Sequence, residues 1–269
     1  MDIPANLQSG AFAGTAEAYA RYRPPYPREM LDDLVTRAGV GAGASLLDLA
    51  TGPGRIALDI AGSFDSVLAV DAEPEMIAVG RRRAAERGID NVTWQVGRAE
   101  DLDLPAGTFD LITIGEAFHR LEQTRVASLA MRWLRPRRCL ATVGSDDRFT
   151  GDEPWEVTLR LVRERWLARI FPEGWGRVLP GHVEGREAQE RLLRDAGFEL
   201  ESHEFDRTLE LSFEEILGHL VSTSICSKRV LGDAFEAFES ELRDALEAGD
   251  TTRFTESISW GYTLARKAG

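Results

Sequence analysis

The segment Leu46-Leu47-Asp48-Leu49-Ala50-Thr51-Gly52-Pro53-Gly54-Arg55 constrains this chain more than any other. It reads as a buried strand, a tight glycine turn and the start of a helix. Glycine has no Cβ, so such a turn lets the backbone approach a ligand closely. A second apolar run, Val67-Leu68-Ala69-Val70, ends in Asp71. That carboxylate is placed to accept hydrogen bonds from a ribose diol. The pair points to a nucleoside-containing cofactor.

Around this segment strands and helices alternate. Apolar runs predict strands at 45–49, 66–70, 92–96, 109–114 and 139–144, with helices at 54–61, 74–87 and 121–134. Pro136 reads as closing the last of these helices. Runs such as Leu111-Ile112-Thr113-Ile114 are continuously apolar, which suits a parallel sheet covered on both faces. Upstream, Pro27 suits the first residue of a helix carrying Met30, Leu31, Leu34, Val35 and Ala38, with Gly39 at its end. After Ser145 the pattern changes. Trp155, Leu159, Val162, Trp166 and Ile170 share one helical face, and Phe171 to Gly176 reads as a loop. A helix at 185–196, a strand at 198–205, helices at 213–227 and 233–247 and a strand at 254–265 follow. The expectation is a five-strand core, then two more strands with helical insertions.

Bulk properties exclude several classes. The chain has 269 residues, and its net charge of −13 disfavours a polynucleotide partner, which selects basic surfaces. The one basic cluster, Arg81-Arg82-Arg83 with Arg87, lies near Glu73, Glu75 and Glu86 and reads as a solvated helix face. No apolar run reaches the roughly 18 residues of a membrane span. The start, Met1-Asp2-Ile3-Pro4-Ala5-Asn6, lacks the features of a signal peptide. Cys139 and Cys226 have no metal-ligand spacing, so no metal site is expected. A reduced, cytoplasmic protein is the simple reading.

Gly52-Pro53-Gly54-Arg55-Ile56-Ala57 also matches the dinucleotide pattern G-x-G-x-x-G/A. Three features argue against a nicotinamide enzyme. Asp48, just before the turn, would repel a pyrophosphate and welcome a cation. A second acidic turn, Gly97-Arg98-Ala99-Glu100-Asp101, follows the third strand, where an adenine edge is readable. Finally, Phe109-Asp110-Leu111-Ile112 opens a strand with Gly115-Glu116-Ala117-Phe118-His119 at its end.

With these segments in this order, the chain resembles class I S-adenosylmethionine-dependent methyltransferases. The similarity is to the small-molecule type that includes the ubiquinone/menaquinone-biosynthesis and trans-aconitate enzymes, over roughly residues 15–145. It rests on Leu47 to Gly54, Val70 to Met76, Gly97 to Leu104 and Phe109 to His119. The resemblance implies an α/β, Rossmann-like fold. Its seven-stranded sheet would be mostly parallel, the last strand antiparallel, with a helical cap. Residues 1–145 would form the cofactor core with an N-terminal lid, and 146–269 the cap and the final two strands. The implied cofactor is S-adenosyl-L-methionine, with S-adenosyl-L-homocysteine as product.

Carried over residue by residue, Ala50, Thr51, Gly52 and Gly54 would pack on the methionine part, and Asp48 would orient its amino group. Asp71 would bind the ribose hydroxyls. Ala72 and Met76 would flank the adenine, with Ala99 and Glu100 along its edge. Gly115 and Phe118 would line the sulfonium side, while Tyr22 and Arg23 would close over the cofactor. Two positions depart from the family pattern. Ala50 stands for the first glycine of the turn, and Arg98 for a residue that is often acidic.

Methyl transfer is an in-line displacement, and the protein chiefly holds two reactants in line. His119 is the candidate base, since its unperturbed pKa of about 6.5 suits proton removal near neutrality. Glu116 is the second choice. Tyr26, Trp155, Trp175, His182, His219 and Ser222 are candidate contacts to a small-molecule acceptor. For Trp155 and Trp175 ordinary cap packing is an equal reading, and for Ser222 back-bonding to its own helix. His203 reads as a surface residue. The expected activity is methylation of O, N or C on a small molecule. The alternatives are a non-methylating rearrangement on the same fold or a nicotinamide-dependent oxidoreductase. Neither nucleic acid nor membrane is an expected partner, and the chain would be a monomer or homodimer.

Overall fold

The computed structural model describes residues 12, 14–172, 185–248 and 252–268. In chain order its strands are β1 (Ser45–Leu49), β2 (Ser66–Asp71), β3 (Val92–Val96), β4 (Phe109–Gly115), β5 (Leu134–Ser145), β6 (Phe198–Leu211) and β7 (Phe254–Lys267). Its helices are α1 (Ala16–Tyr22), α2 (Arg28–Ala38), α3 (Arg55–Ile60), α4 (Pro74–Glu86), α5 (Gln123–Trp133), α6 (Pro154–Ile170), α7 (Arg186–Asp195), α8 (Phe213–Val221), α9 (Lys228–Leu231) and α10 (Phe235–Leu246).

The chain divides into two compact units. One holds the described residues of Pro25–Ser145, Gly181–Phe205 and Trp260–Gly269, the other those of Met1–Pro24, Asp146–Pro180 and Asp206–Ser259. The described residues up to Pro24 therefore group with the helical segments.

The first unit is built on a seven-stranded sheet of order β3-β2-β1-β4-β5-β7-β6. Strands β1, β2, β3, β4 and β5 pair in parallel, and β7 runs antiparallel to β5. This is the Rossmann-like arrangement expected. Side chains alternate between the faces. Leu47 and Leu49 join Ile112, Ile114, Leu140 and the α5 residues Val126, Ala130 and Trp133 in one buried core. Asp48 and Thr113 are register partners on β1 and β4, each one residue removed from those core positions. The core requires the continuous apolar character of β4, buried throughout except at Gly115.

Two local expectations need correction. Helix α2 starts at Arg28, with Pro27 one position earlier as its cap, while Gly39 ends it in a left-handed conformation, φ 66°. Pro136 does not close a helix: α5 ends at Trp133, and β5 begins at Leu134 with Pro136 inside it. Pairing shifts there from Phe109↔Leu134 to Leu111↔Cys139. The bulge tolerates a residue without an N–H. Its arginines satisfy buried Asp110, which pairs with Arg135 and with Arg138 at 3.0 Å and accepts from the Ser45 amide at 3.0 Å.

The second unit has its own core, in which Phe149, Leu159, Val162, Phe213, Ile216, Leu220, Phe238 and Leu242 are buried. Helix α8 stops at Val221, short of the expected 227. The Ser222 and Thr223 hydroxyls donate to the carbonyls of His219 and Leu220, both at 2.6 Å. Ser227 then caps α9 through its side chain. Hydroxyls that compete for backbone groups break the helix here.

Candidate active site

Parallel strands end on one edge, and the order of this sheet reverses between β1 and β4. Open α/β sheets bind ligands in the crevice outside such a switch point. Two non-glycine residues with left-handed backbone sit there, Ala50 at φ 50° and Glu116 at φ 54°. They follow neighbouring strand ends, because Leu49 pairs with Ile114. Such conformations cost ~1–2 kcal/mol per residue and tend to mark functional sites.

The glycine turn is held from several sides. The Thr51 amide donates to Val70 O at 3.0 Å and the Gly54 amide to Thr51 O at 3.1 Å. Gly52 and Gly54 take φ values of 57° and 77°. Arg83 of α4 donates to Pro53 O at 3.0 Å. A Cβ on Gly54 would lie 2.5 Å from the Trp94 ring and 3.1 Å from Leu58 Cγ. Gly54→Ala is therefore expected to destabilise the protein by ~2 kcal/mol or more, read as a lower denaturation midpoint in urea.

The acidic residues of this edge are strongly constrained. Asp48 is 1% exposed. Its oxygens accept the hydroxyls of Thr113, at 2.6 Å, and Thr51. Burial pushes its pKa up to about 6, against the pull of the two threonines and the Ala57 amide, and the nearby charge of Asp71 adds to the rise. Asp71 accepts the Gly52 amide at 2.7 Å and the Glu73 amide at 2.8 Å. Burial also raises its pKa, against those two bonds. Asp71 thus ties the glycine turn of β1 to the end of β2.

At the end of β4, Gly115 lies close to Tyr26 and Ile56: a Cβ there would be 2.7 Å from the Tyr26 hydroxyl and from Ile56 Cδ1. Tyr26, expected as an acceptor contact, is buried. It packs edge-on against Trp260, with the Arg55 guanidinium 4.4 Å over its ring. Glu116 accepts the Ser145 hydroxyl at 3.1 Å. Phe118 is buried in the core, and half-buried His119 sits in the short turn Phe118–Arg120. Near the end of β2, Ala72 is exposed and Met76 buried. After β3, Ala99 is buried, and Glu100 accepts the Glu122 amide at 3.0 Å and faces Arg98 at 3.5 Å.

The other candidates belong to the second unit. Tyr22 lies flat on α8: a Cβ at Gly218 would come within 2.2 Å of its ring. Arg23 donates to the fully buried Ser222 at 2.9 Å. Ser222 takes the back-bonding alternative. Trp155 packs among Phe149 and Phe254 and donates to Thr255 O at 3.1 Å, in line with the packing alternative. His219 is buried beside Phe149, with Nδ1 3.2 Å from Arg148, which forms a bidentate pair with Glu256. Trp175 and His182 lie outside the described residues.

Two surface readings change. Arg83 and Arg87 are not a merely solvated face: Arg83 anchors the glycine turn, and Arg87 pairs with Asp59 at 2.8 Å. His203 is not simply superficial; its ring lies 5.1 Å from that of Tyr262. Among the described residues, no group of three or more His, Cys, Asp or Glu is placed to hold a metal. No described helix is long and apolar enough to cross a membrane.

Sequence reasoning missed Thr113, Ser145 and Arg83 as site-forming residues. The threonine interrupting an apolar β4 was the available signal for the first.

Comparison with known proteins finds methyltransferases among the similar chains. Residues 46–137 match the family described as Methyltransferase domain. The chain is 34% identical over 116 residues to the uncharacterized methyltransferase YcgJ of Bacillus subtilis, covering 43% of this chain and 46% of that protein. The crystal structure of YcgJ superposes with a TM-score of 0.57 at 19% identity, covering 90% of this chain and 100% of that one. The uncharacterized methyltransferase Rv3342 of Mycobacterium tuberculosis is 27% identical over 220 residues, 80% of this chain and 77% of that protein. The ubiquinone/menaquinone biosynthesis C-methyltransferase UbiE of Marinomonas sp. is 35% identical over 143 residues, 51% of this chain and 55% of that protein. The sequence matches thus span about half the length of YcgJ and UbiE.

These findings support the resemblance: residues 46–137 match a methyltransferase domain, and the likeness to the YcgJ structure is one of Rossmann-like fold. Within that class, the substrate and the methylated atom are not set by the match.

Proposed function

We propose that this chain transfers a methyl group from S-adenosyl-L-methionine to a small-molecule acceptor. The observation that carries this reading is the bond from the Gly52 amide to Asp71, which joins the glycine turn and a partly exposed carboxylate at adjacent strand ends. The residues suit the cofactor. Each Asp71 oxygen accepts one amide, and a carboxylate oxygen has capacity for a second donor such as a ribose hydroxyl. The carboxylates of Asp48 and Asp71 suit a ligand carrying an ammonium and a sulfonium. Ala50, Thr51, Gly52 and Gly54 would flank its methionine end. Ala72, Met76, Ala99 and Glu100 would meet its adenine, and Gly115 and Phe118 its sulfur side. When bound, it would supply a methyl group on a good leaving group.

The chain's own part is to hold an acceptor in line and to move a proton. His119, one short turn beyond β4, is the proposed base. Incubation with methyl-labelled cofactor and a panel of O, N and C acceptors is expected to give a labelled small molecule. His119→Ala should lower kcat by about 10²-fold or more, with S-adenosylhomocysteine affinity retained. Label transfer that His119→Ala leaves unchanged would remove the base role. Tight cofactor binding with no labelled product would favour the non-methylating alternative.

A further inference from the structure

The left-handed backbone at Glu116 needs an explanation. Its amide donates to Val143 O at 2.8 Å, so the chain stays paired with β5 while φ turns to 54°. Glycine would adopt this conformation without the steric penalty that a side chain brings. A carboxylate held there against that cost suggests that the side chain itself is used. It is also held in place. Ser145, at the end of β5, donates to Oε1 at 3.1 Å, and a Cβ on Gly144 would lie 4.0 Å from the same oxygen. The carboxylate therefore lies across the end of the neighbouring strand, beside the switch point.

Three carboxylates gather at this end of the sheet. Asp48, Asp71 and Glu116 belong to the ends of β1, β2 and β4 on one edge of the sheet. Of the arginines at this edge, Arg55 is stacked on the Tyr26 ring and Arg83 donates to Pro53 O. An anionic acceptor would be repelled by three carboxylates, whereas an ammonium gains charge-assisted hydrogen bonds. The net charge of −13 favours the same choice at longer range.

We propose that Glu116 binds the methyl acceptor, that Ser145 positions its carboxylate, and that the acceptor is a protonated amine. This rests on the methyltransferase reading and adds a substrate class to it. Glu116 would accept an N–H of the bound ammonium; the amine would then lose one proton to His119, the proposed base, and the freed nitrogen lone pair would take the methyl group as the sulfur–carbon bond breaks. Ser145 would act only through Glu116, by fixing one oxygen and so the direction of the other.

Calorimetry on protein saturated with S-adenosylhomocysteine tests this, using 2-phenylethylamine, 2-phenylethanol and phenylacetate as probes of one size and three charges. The amine is expected to bind at least about tenfold more tightly than the others. Glu116→Gln should erase that preference. Ser145→Ala should weaken amine binding about threefold to tenfold, and Ser145→Thr should restore it. Thermal melting of each variant checks folding, and unchanged S-adenosylhomocysteine affinity keeps the cofactor reading separate. If S-adenosylhomocysteine binds but no probe does, the inference is overturned. Equal or tighter binding of phenylacetate, or a preference that survives in Glu116→Gln, overturns it too. Failure of wild type to bind S-adenosylhomocysteine would instead overturn the reading beneath it.

Discussion

Asp48→Asn is expected to stabilise the ligand-free protein at pH 7.5 and to weaken its hold on S-adenosylhomocysteine. Asp48 is buried, and its folded pKa is about 6 because burial disfavours the charge. In the unfolded chain it titrates at about 3.9. Between those values the folded state binds a proton that the unfolded state does not. Stability therefore falls as pH rises through this window, and the full cost is present above it. A rise of about two units corresponds to ~3 kcal/mol. Asparagine avoids the cost and still offers an acceptor and a donor to Thr113 and Thr51. It gives up the charge-assisted bonds, so ~3 kcal/mol is an upper bound on the gain. Urea denaturation at pH 4.5 and 7.5 checks this: the variant should gain on wild type at the higher pH. An equal difference at both values would mean that Asp48 carries no such cost. On the proposed reading the compensating benefit would be functional, since a buried carboxylate beside the turn suits a cationic ligand.

Asp71→Ala should lower affinity for S-adenosylhomocysteine by at least about 100-fold, or ~3 kcal/mol. Two losses combine. The ribose would lose its charged acceptor, and the Gly52 and Glu73 amides would lose theirs. On the proposed reading, the turn and the ribose site would be coupled through one side chain. Calorimetric titration of variant and wild type reads the effect, with circular dichroism confirming the fold. A decrease of less than about threefold would show that Asp71 is not the ribose contact.

The parts of this site legible in the sequence were local. Asp48, the glycine turn and its helix lie on ten consecutive residues, and Asp71 ends the next apolar run. Their strand–turn–helix logic needs no knowledge of the rest of the chain. Thr113 and Ser145 were not legible because their roles depend on register. Asp48 meets Thr113 only because β1 and β4 pair in that frame, and Ser145 meets Glu116 across the β4–β5 pair. Arg83 looked like a surface charge because a helix sequence does not reveal which loop packs beneath it. Pro136 was read as a helix stop, although a bulge gave it a place within β5. The grouping of the first described residues with the helical unit follows from tertiary packing, such as Tyr22 on Gly218, that periodicity does not encode.

The most direct test of the central claim is calorimetric titration of the wild-type protein with S-adenosylhomocysteine, and in parallel with NAD. The account predicts saturable, micromolar, one-site binding of the first and none of the second. Binding of NAD with no response to S-adenosylhomocysteine would contradict it.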